Sequence, residues 1–194
     1  TFPHILLEYL LEKNEKRTLD DIVDEDTNLE NKKKKFLDFK LNFENRNYSN
    51  PIIKNIWKIL EEENISKKIA EDLFDGVESD LKNEVIINTK KDLLVYSYRV
   101  AGTVGLMMSK ILKVKNKEAL KGAIDLGIAM QLTNIARDVN EDKMRDRKYI
   151  KSDFSSIRET IKESEFFYLK SFNSISSIPF RSRFSVIVAR RIYK

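Results

Sequence analysis

Cysteine is absent from this chain, and histidine occurs once, at His4. The first absence removes disulfides, thiolate metal sites and cysteine nucleophiles. The second leaves no cluster of imidazoles for a zinc cage and nearly excludes a Ser-His-Asp triad. Glycine (5 residues) and proline (3 residues) are scarce. A chain so poor in turn formers reads as long helices rather than a many-stranded sheet. No apolar run reaches the roughly 18 residues of a membrane-spanning helix. The opening TFPHILLEYLLEKNEK is apolar but carries neither a basic leader nor a small-residue cleavage site. It is therefore not read as a signal peptide.

What the chain does contain is charge. Of its 194 residues, 41% are hydrophobic and 35% charged, enough for one sizeable core. The net charge is +5, from 36 basic and 31 acidic residues. Such an excess describes a solvated surface, or one attracted to anionic lipid or an anionic substrate. The run KKKK (32–35) lacks interleaved aromatics and a groove-reading helix, so it reads as a solvated helix face. Nucleic acid is not an expected partner.

Apolar periodicity predicts helices over 2–16, 17–26, 28–47, 51–63, 67–82, 87–112, 117–143, 157–175 and 180–193. Phe36, Phe39 and Phe43 recur at helical spacing. Ile52, Ile56, Ile59 and Leu60 point inward on the next helix, with Trp57 flanking. Pro51 suits a first helical turn and Ser66 an N-cap. Asn116 marks a turn, and 146–156 reads as a loop. No repeat or low-complexity linker appears, so 1–194 reads as one all-α domain.

Two aspartate pairs carry the chemistry. Asp20/Asp24 and Asp138/Asp142 each have i, i+4 spacing. One such pair is ordinarily a solvated helix face. Two pairs, the second continuing a Gln131–Asn134 stripe in an apolar context, suggest carboxylates converging across a gap. Oxygen ligands without His or Cys suit Mg²⁺, with Mn²⁺ as an alternative, and Mg²⁺ often takes its remaining ligands from substrate phosphates. Arg17 lies one near-turn before Asp20, Arg137 adjoins Asp138, and Arg145 and Arg147 follow Asp142. Guanidinium groups clamp phosphate oxygens, although Arg145 and Arg147 equally suit a helix C-terminus. In YSYRVAGTVGLMM, the small residues Ala101, Gly102 and Gly105 indicate either close helix packing or a smooth wall beside a long apolar substrate. Val100, Met107, Met108 and Met130 line that wall or belong to the core. Tyr96 offers a hydroxyl or a π-face to a carbocation, or is a buried structural tyrosine.

The segments RTLDDIVDE, YSYRVAGTVGLMM, AIDLGIAMQLTNIARDVNEDKMRDRKYI and IPFRSRFSVIVARRIY together resemble the squalene and phytoene synthase family, from about Arg17 to the end of the chain. The resemblance implies an all-α, single-domain helical bundle of the isoprenoid synthase type, with a central cavity and incomplete at the termini. It assigns Asp20 and Asp24 to a first metal motif and Asp138 and Asp142 to a second. Asn134 matches a further metal or diphosphate ligand, with Gln131 the polar residue before it. Arg17 matches the family's arginine three residues before the first motif, and Tyr96 the tyrosine of its small-residue helix. Diphosphate and substrate contacts are expected from Arg17, Gln131, Asn134, Arg137, Arg145, Arg147, Val100, Ala101, Gly105 and Met108. The implied reaction is Mg²⁺-dependent head-to-head condensation of two geranylgeranyl diphosphates to phytoene, without NADPH. Squalene or dehydrosqualene synthesis from farnesyl diphosphate is the alternative, and a non-catalytic assembly or lipid-binding relative is the alternative of another class. A greasy substrate and product imply a cytoplasmic protein, peripheral at the inner face of the membrane. Oligomeric state is not legible.

Overall fold

The computed structural model describes residues 29–172, which form two compact units, 29–83 and 84–172. The helices expected over 2–16, 17–26 and 180–193 lie outside the described residues.

The first unit contains α1 (Leu29–Glu44), α2 (Pro51–Glu62) and α3 (Lys67–Asp80). The Phe36, Phe39 and Phe43 stripe of α1 is buried, as its spacing predicts. Phe43 stacks on Trp57 at 4.9 Å and meets the edge of Phe74 at 4.9 Å, so rings from three helices form one aromatic core. Trp57 is fully part of that core rather than a flank, and its indole N–H donates to the Phe43 carbonyl at 3.0 Å. With Trp57 turned inward, the buried isoleucines of α2 are Ile53 and Ile56, and Ile52 and Ile59 are only half-buried. The expected punctuation is present. Asn50 caps α2 ahead of Pro51, and the Ser66 hydroxyl accepts from the Lys68 N–H.

The second unit is built on α6 (Lys117–Met144), 28 residues and about 42 Å long at the usual helical rise. Asn116 is its N-cap, accepting from the N–H groups of Glu118 and Ala119. Against α6 pack α7 (Phe154–Phe172) and the α4 (Lys90–Ser97) to α5 (Thr103–Ile111) segment. The long helix predicted over 87–112 is interrupted by a single π-helical turn, Tyr98–Gly102, in which the Thr103 N–H donates to the Tyr98 carbonyl. The extra residue shifts the helical register, so residues before and after the turn present different faces.

Two short strands occur where a loop was expected. β1 (Val85–Ile86) and β2 (Arg147–Lys148) pair in parallel, Val85 opposite Arg147. The Val85 N–H donates to Asp146 O and the Ile87 N–H to Lys148 O, both at 3.0 Å. Two residues per strand are too few for alternation to announce them in sequence. The pairing fastens the segment leaving α6 to the segment entering α4.

Candidate active site

Gln131, Asn134, Asp138 and Asp142 occupy one face of α6, all half-buried. The adjoining face, about 100° round the helix, carries the buried Leu132, Ile135, Ala136 and Val139. The steps of three, four and four set the polar stripe along about 16 Å of helix. Placing it there is costly, because half-burial weakens the hydration of each carboxylate without supplying a partner for both.

The two aspartates are treated unequally. Arg137 Nε and a terminal guanidinium nitrogen donate to the two oxygens of Asp138, each at 2.6 Å. That fork holds the Asp138 carboxyl below its ordinary range, outweighing the effect of burial. Asp142 has no such fork. Burial pushes its carboxyl up, the Asp138 charge pushes it further, and Arg145 and Arg147 offset only part of this. Arg145 instead pairs with Glu141 at 2.7 Å on the exposed side of the helix. The neighbouring Asn134 Oδ1 is buried and accepts no hydrogen bond. An orphaned amide oxygen beside two carboxylates, one of them poorly compensated, is a donor set that fits a hard divalent cation. Among the described residues no three acidic or imidazole groups come together as a metal cage. The stripe by itself therefore makes no complete coordination shell. Asp20, Asp24 and Arg17, expected to complete it, lie outside the described residues.

Tyr96 lies in the last turn of α4 and is buried. Its hydroxyl donates to that of Tyr149 at 3.1 Å, and the rings stack at 4.8 Å with 22° between their planes. Tyr149 follows β2 directly, so the β1–β2 pairing sets it against α4. Sequence reasoning passed over Tyr149, which sits in a stretch read as loop. Its one available signal was its place two residues past Arg147.

The small residues of YSYRVAGTVGLMM take the packing option. A Cβ added to Gly105 would meet the Ala123 carbonyl oxygen at 2.2 Å, and one added to Gly127 would meet the Ala101 carbonyl oxygen at 2.3 Å. Backbone thus lies on backbone where this segment crosses α6. Val100 and Ala101 are buried in the π-helical turn, Met107 and Met130 are core, and Met108 is half-buried.

A cavity of about 550 Å³ opens beside the stripe. Its floor includes Leu93, Leu94 and Val139, and Tyr149 and Arg147 stand in its wall. None of Gln131, Asn134, Asp138 or Asp142 lines it; α6 contributes Val139 and Lys143, each one residue past an aspartate. The acidic stripe and this cavity are adjacent features at the same end of α6, on faces about 100° apart.

The sequence pattern of the squalene/phytoene synthase family matches residues 16–166. A 15-cis-phytoene synthase of Pantoea ananas is 32% identical over 151 residues, which cover 67% of this chain and 48% of that protein. The chain thus spans about half the length of that curated relative. A squalene synthase from Alicyclobacillus acidocaldarius superimposes with a TM-score of 0.71 at 15% identity, over 90% of this chain and 74% of that one. A dehydrosqualene synthase solved with a ligand gives a TM-score of 0.64 at 25% identity, over 98% and 73%. The fold is the expected all-α one of these synthases, and a match across residues 16–166 that takes in the α6 stripe and Tyr96 makes this chain a member of the squalene/phytoene synthase family.

Proposed function

We propose that the protein is a prenyltransferase that joins two geranylgeranyl diphosphates head to head (1′-1) and releases both diphosphates, giving phytoene for carotenoid synthesis. The observation that carries this reading is the α6 stripe, in which Asp138, the under-compensated Asp142 and the orphaned Asn134 oxygen face the same way. Asp138, Asp142 and Asn134 would hold Mg²⁺, or Mn²⁺ in its place, with Asp20 and Asp24 supplying the other half. When bound, the metal supplies positive charge to the departing diphosphate.

In this reading the residues of the chain divide the work. Arg17, Arg137, Arg145 and Arg147 steady phosphate oxygens as negative charge develops on them, with Gln131 as a neutral donor beside the metal ligands. The first C1–O bond breaks, and the second substrate's double bond captures the allylic cation. Loss of a proton then gives a cyclopropylcarbinyl diphosphate. A second C1–O cleavage, rearrangement and proton loss complete the product, with no reductant consumed. Tyr96 turns an electron-rich ring or hydroxyl toward the cation. Val100, Ala101 and Gly105, expected to border the chains, are taken up by packing against α6, which leaves the half-buried Met108 for that role; an apolar wall excludes water from the cations.

The superposition on squalene and dehydrosqualene synthases favours a second reading, condensation of two farnesyl diphosphates. No described helix is long and apolar enough to cross a membrane. Attachment at the inner face of the membrane belongs to the proposal. It is supported by α7, which leaves Phe154, Ile161, Phe166, Leu169 and Phe172 exposed in the manner of an interfacial helix.

The test is incubation of the full-length protein with geranylgeranyl or farnesyl diphosphate and Mg²⁺, with and without NADPH, followed by identification of the hydrocarbon. Phytoene without NADPH is the expected product. Asp138→Asn is expected to lower turnover by about 100-fold or more, the scale of losing a charged group that stabilises the transition state, with unchanged helical circular dichroism. Unfolding of that variant would make the pair structural and remove the reading.

A further inference from the structure

The reading above uses Tyr96 but leaves unexplained why its ring and hydroxyl should hold one orientation. We propose that Tyr149 is a positioning residue, which fixes the Tyr96 hydroxyl and ring for the prenyl-transfer step; this rests on the prenyltransferase reading.

Three observations meet at this pair. First, Tyr96 is restrained at two points, by a ring stack at 4.8 Å and by a hydroxyl–hydroxyl bond at 3.1 Å. The stack limits the ring plane, and the hydrogen bond limits the direction of the O–H. A side chain restrained in both senses keeps its geometry through a reaction whose intermediate is a cation without directional bonds of its own. Second, Tyr149 directly follows β2, whose pairing with β1 holds its backbone. The β1–β2 pair is only two residues long on each side, yet it carries the backbone bonds Val85 to Asp146 and Ile87 to Lys148. A further tie joins Lys148 to Glu84 at 2.7 Å. These contacts fasten Tyr149 to the entry of α4, the helix that carries Tyr96 in its last turn. Third, Tyr149 stands in the wall of the 550 Å³ cavity with Leu93, Leu94 and Val139, and β2 begins five residues after Asp142. One short segment therefore links the acidic stripe, the tyrosine pair and an apolar space.

Tyr149→Phe keeps the ring needed for the stack and removes the acceptor of the Tyr96 hydrogen bond. Steady-state kinetics of the full-length protein with prenyl diphosphate and Mg²⁺ should show kcat lowered by about fivefold, the usual consequence of one neutral hydrogen bond, with KM within twofold of wild type. Tyr96→Phe should fall at least as far. The double variant should be no slower than Tyr96→Phe alone, because the Tyr149 hydroxyl acts through its partner. Wild-type kcat in Tyr149→Phe, or a double variant slower by the product of the two single effects, overturns the proposal. So does a loss confined to KM, which would make Tyr149 a direct substrate contact, or a loss accompanied by a lowered melting temperature, which would make it a packing residue. If the wild-type protein forms no hydrocarbon at all, the reaction itself is wrong; an active wild type indifferent to Tyr149→Phe removes the positioning role alone.

Discussion

Gly127 of α6 lies so close to Ala101 that a methyl group added to it would sit 2.3 Å from the Ala101 carbonyl oxygen and 2.6 Å from the carbonyl carbon. Gly105 and Ala123 repeat the relationship one turn away, with 2.2 Å to the Ala123 oxygen. Positions 101 and 105 thus face 127 and 123, an antiparallel crossing in which the absent side chains let two backbones touch. Neither obstacle is a movable side chain, so Gly127→Ala and Gly105→Ala must separate the helices. Each is expected to destabilise the protein by about 1–3 kcal/mol, as overpacking does. Gly102→Ala first meets side chains, Tyr98 at 3.0 Å and Ile124 at 3.2 Å, and should cost less. Urea unfolding of the three variants checks the order.

Scarce glycine has a second consequence. Helix ends often use a left-handed residue, and this chain places Arg46, Asn64, Lys113 and Asp146 there, with φ of 51°, 50°, 61° and 56°. Lys113 is exposed, just past the end of α5. Lys113→Gly relieves a left-handed side-chain conflict of roughly 1 kcal/mol, although glycine's greater freedom in the unfolded chain returns part of it. A small rise in the thermal midpoint is expected. A fall would show that the lysine side chain contributes more than the backbone strain costs.

Asp125 of α6 lies 3.8 Å from Lys170 of α7, yet burial dominates and its carboxyl is pushed up. The sign follows directly. The folded state disfavours ionised Asp125, so its contribution is most favourable below the unfolded value of about 3.9. That contribution is lost as pH rises through the higher folded value. Asp125→Asn should therefore be more stable than wild type at neutral pH, and the difference should close as pH falls toward 4. Thermal melts across that range would show it; a variant less stable at pH 7 would mean the Lys170 attraction wins.

Phe43 has no exposed surface and touches rings from both neighbouring helices of its unit. Phe43→Ala should cost about 3–5 kcal/mol, through lost transfer energy plus the cavity left behind. Phe43→Leu should cost markedly less. Chemical denaturation followed by Trp57 fluorescence reports both, because Trp57 is the stacked partner.

Helix existence was legible because it rests on local periodicity, and Asn50, Ser66 and Asn116 cap where their side-chain chemistry allows. The α6 stripe was legible for the same reason: spacing alone puts Gln131, Asn134, Asp138 and Asp142 on one face. On α2, Ile56 and Leu60 are buried as read, but Ile53 and Trp57 take the inward places expected of Ile52 and Ile59, since a short helix containing several isoleucines does not say which of them meets an aromatic cluster built by other helices.

The sequence by itself determined that this is a helical chain with an acidic stripe on its longest helix, because helical repeat and residue chemistry are properties of neighbours in the chain. Only the tertiary structure decided that Ala101, Gly105 and Gly127 serve backbone contact between helices, that Arg137 neutralises Asp138 while Asp142 stays under-compensated, and that Tyr149 meets Tyr96. Small residues, charges and rings acquire these roles only from what lies across the gap. For Tyr96 and Tyr149 that neighbour is 53 positions away in the chain, brought within reach by a strand pair too short to leave a pattern.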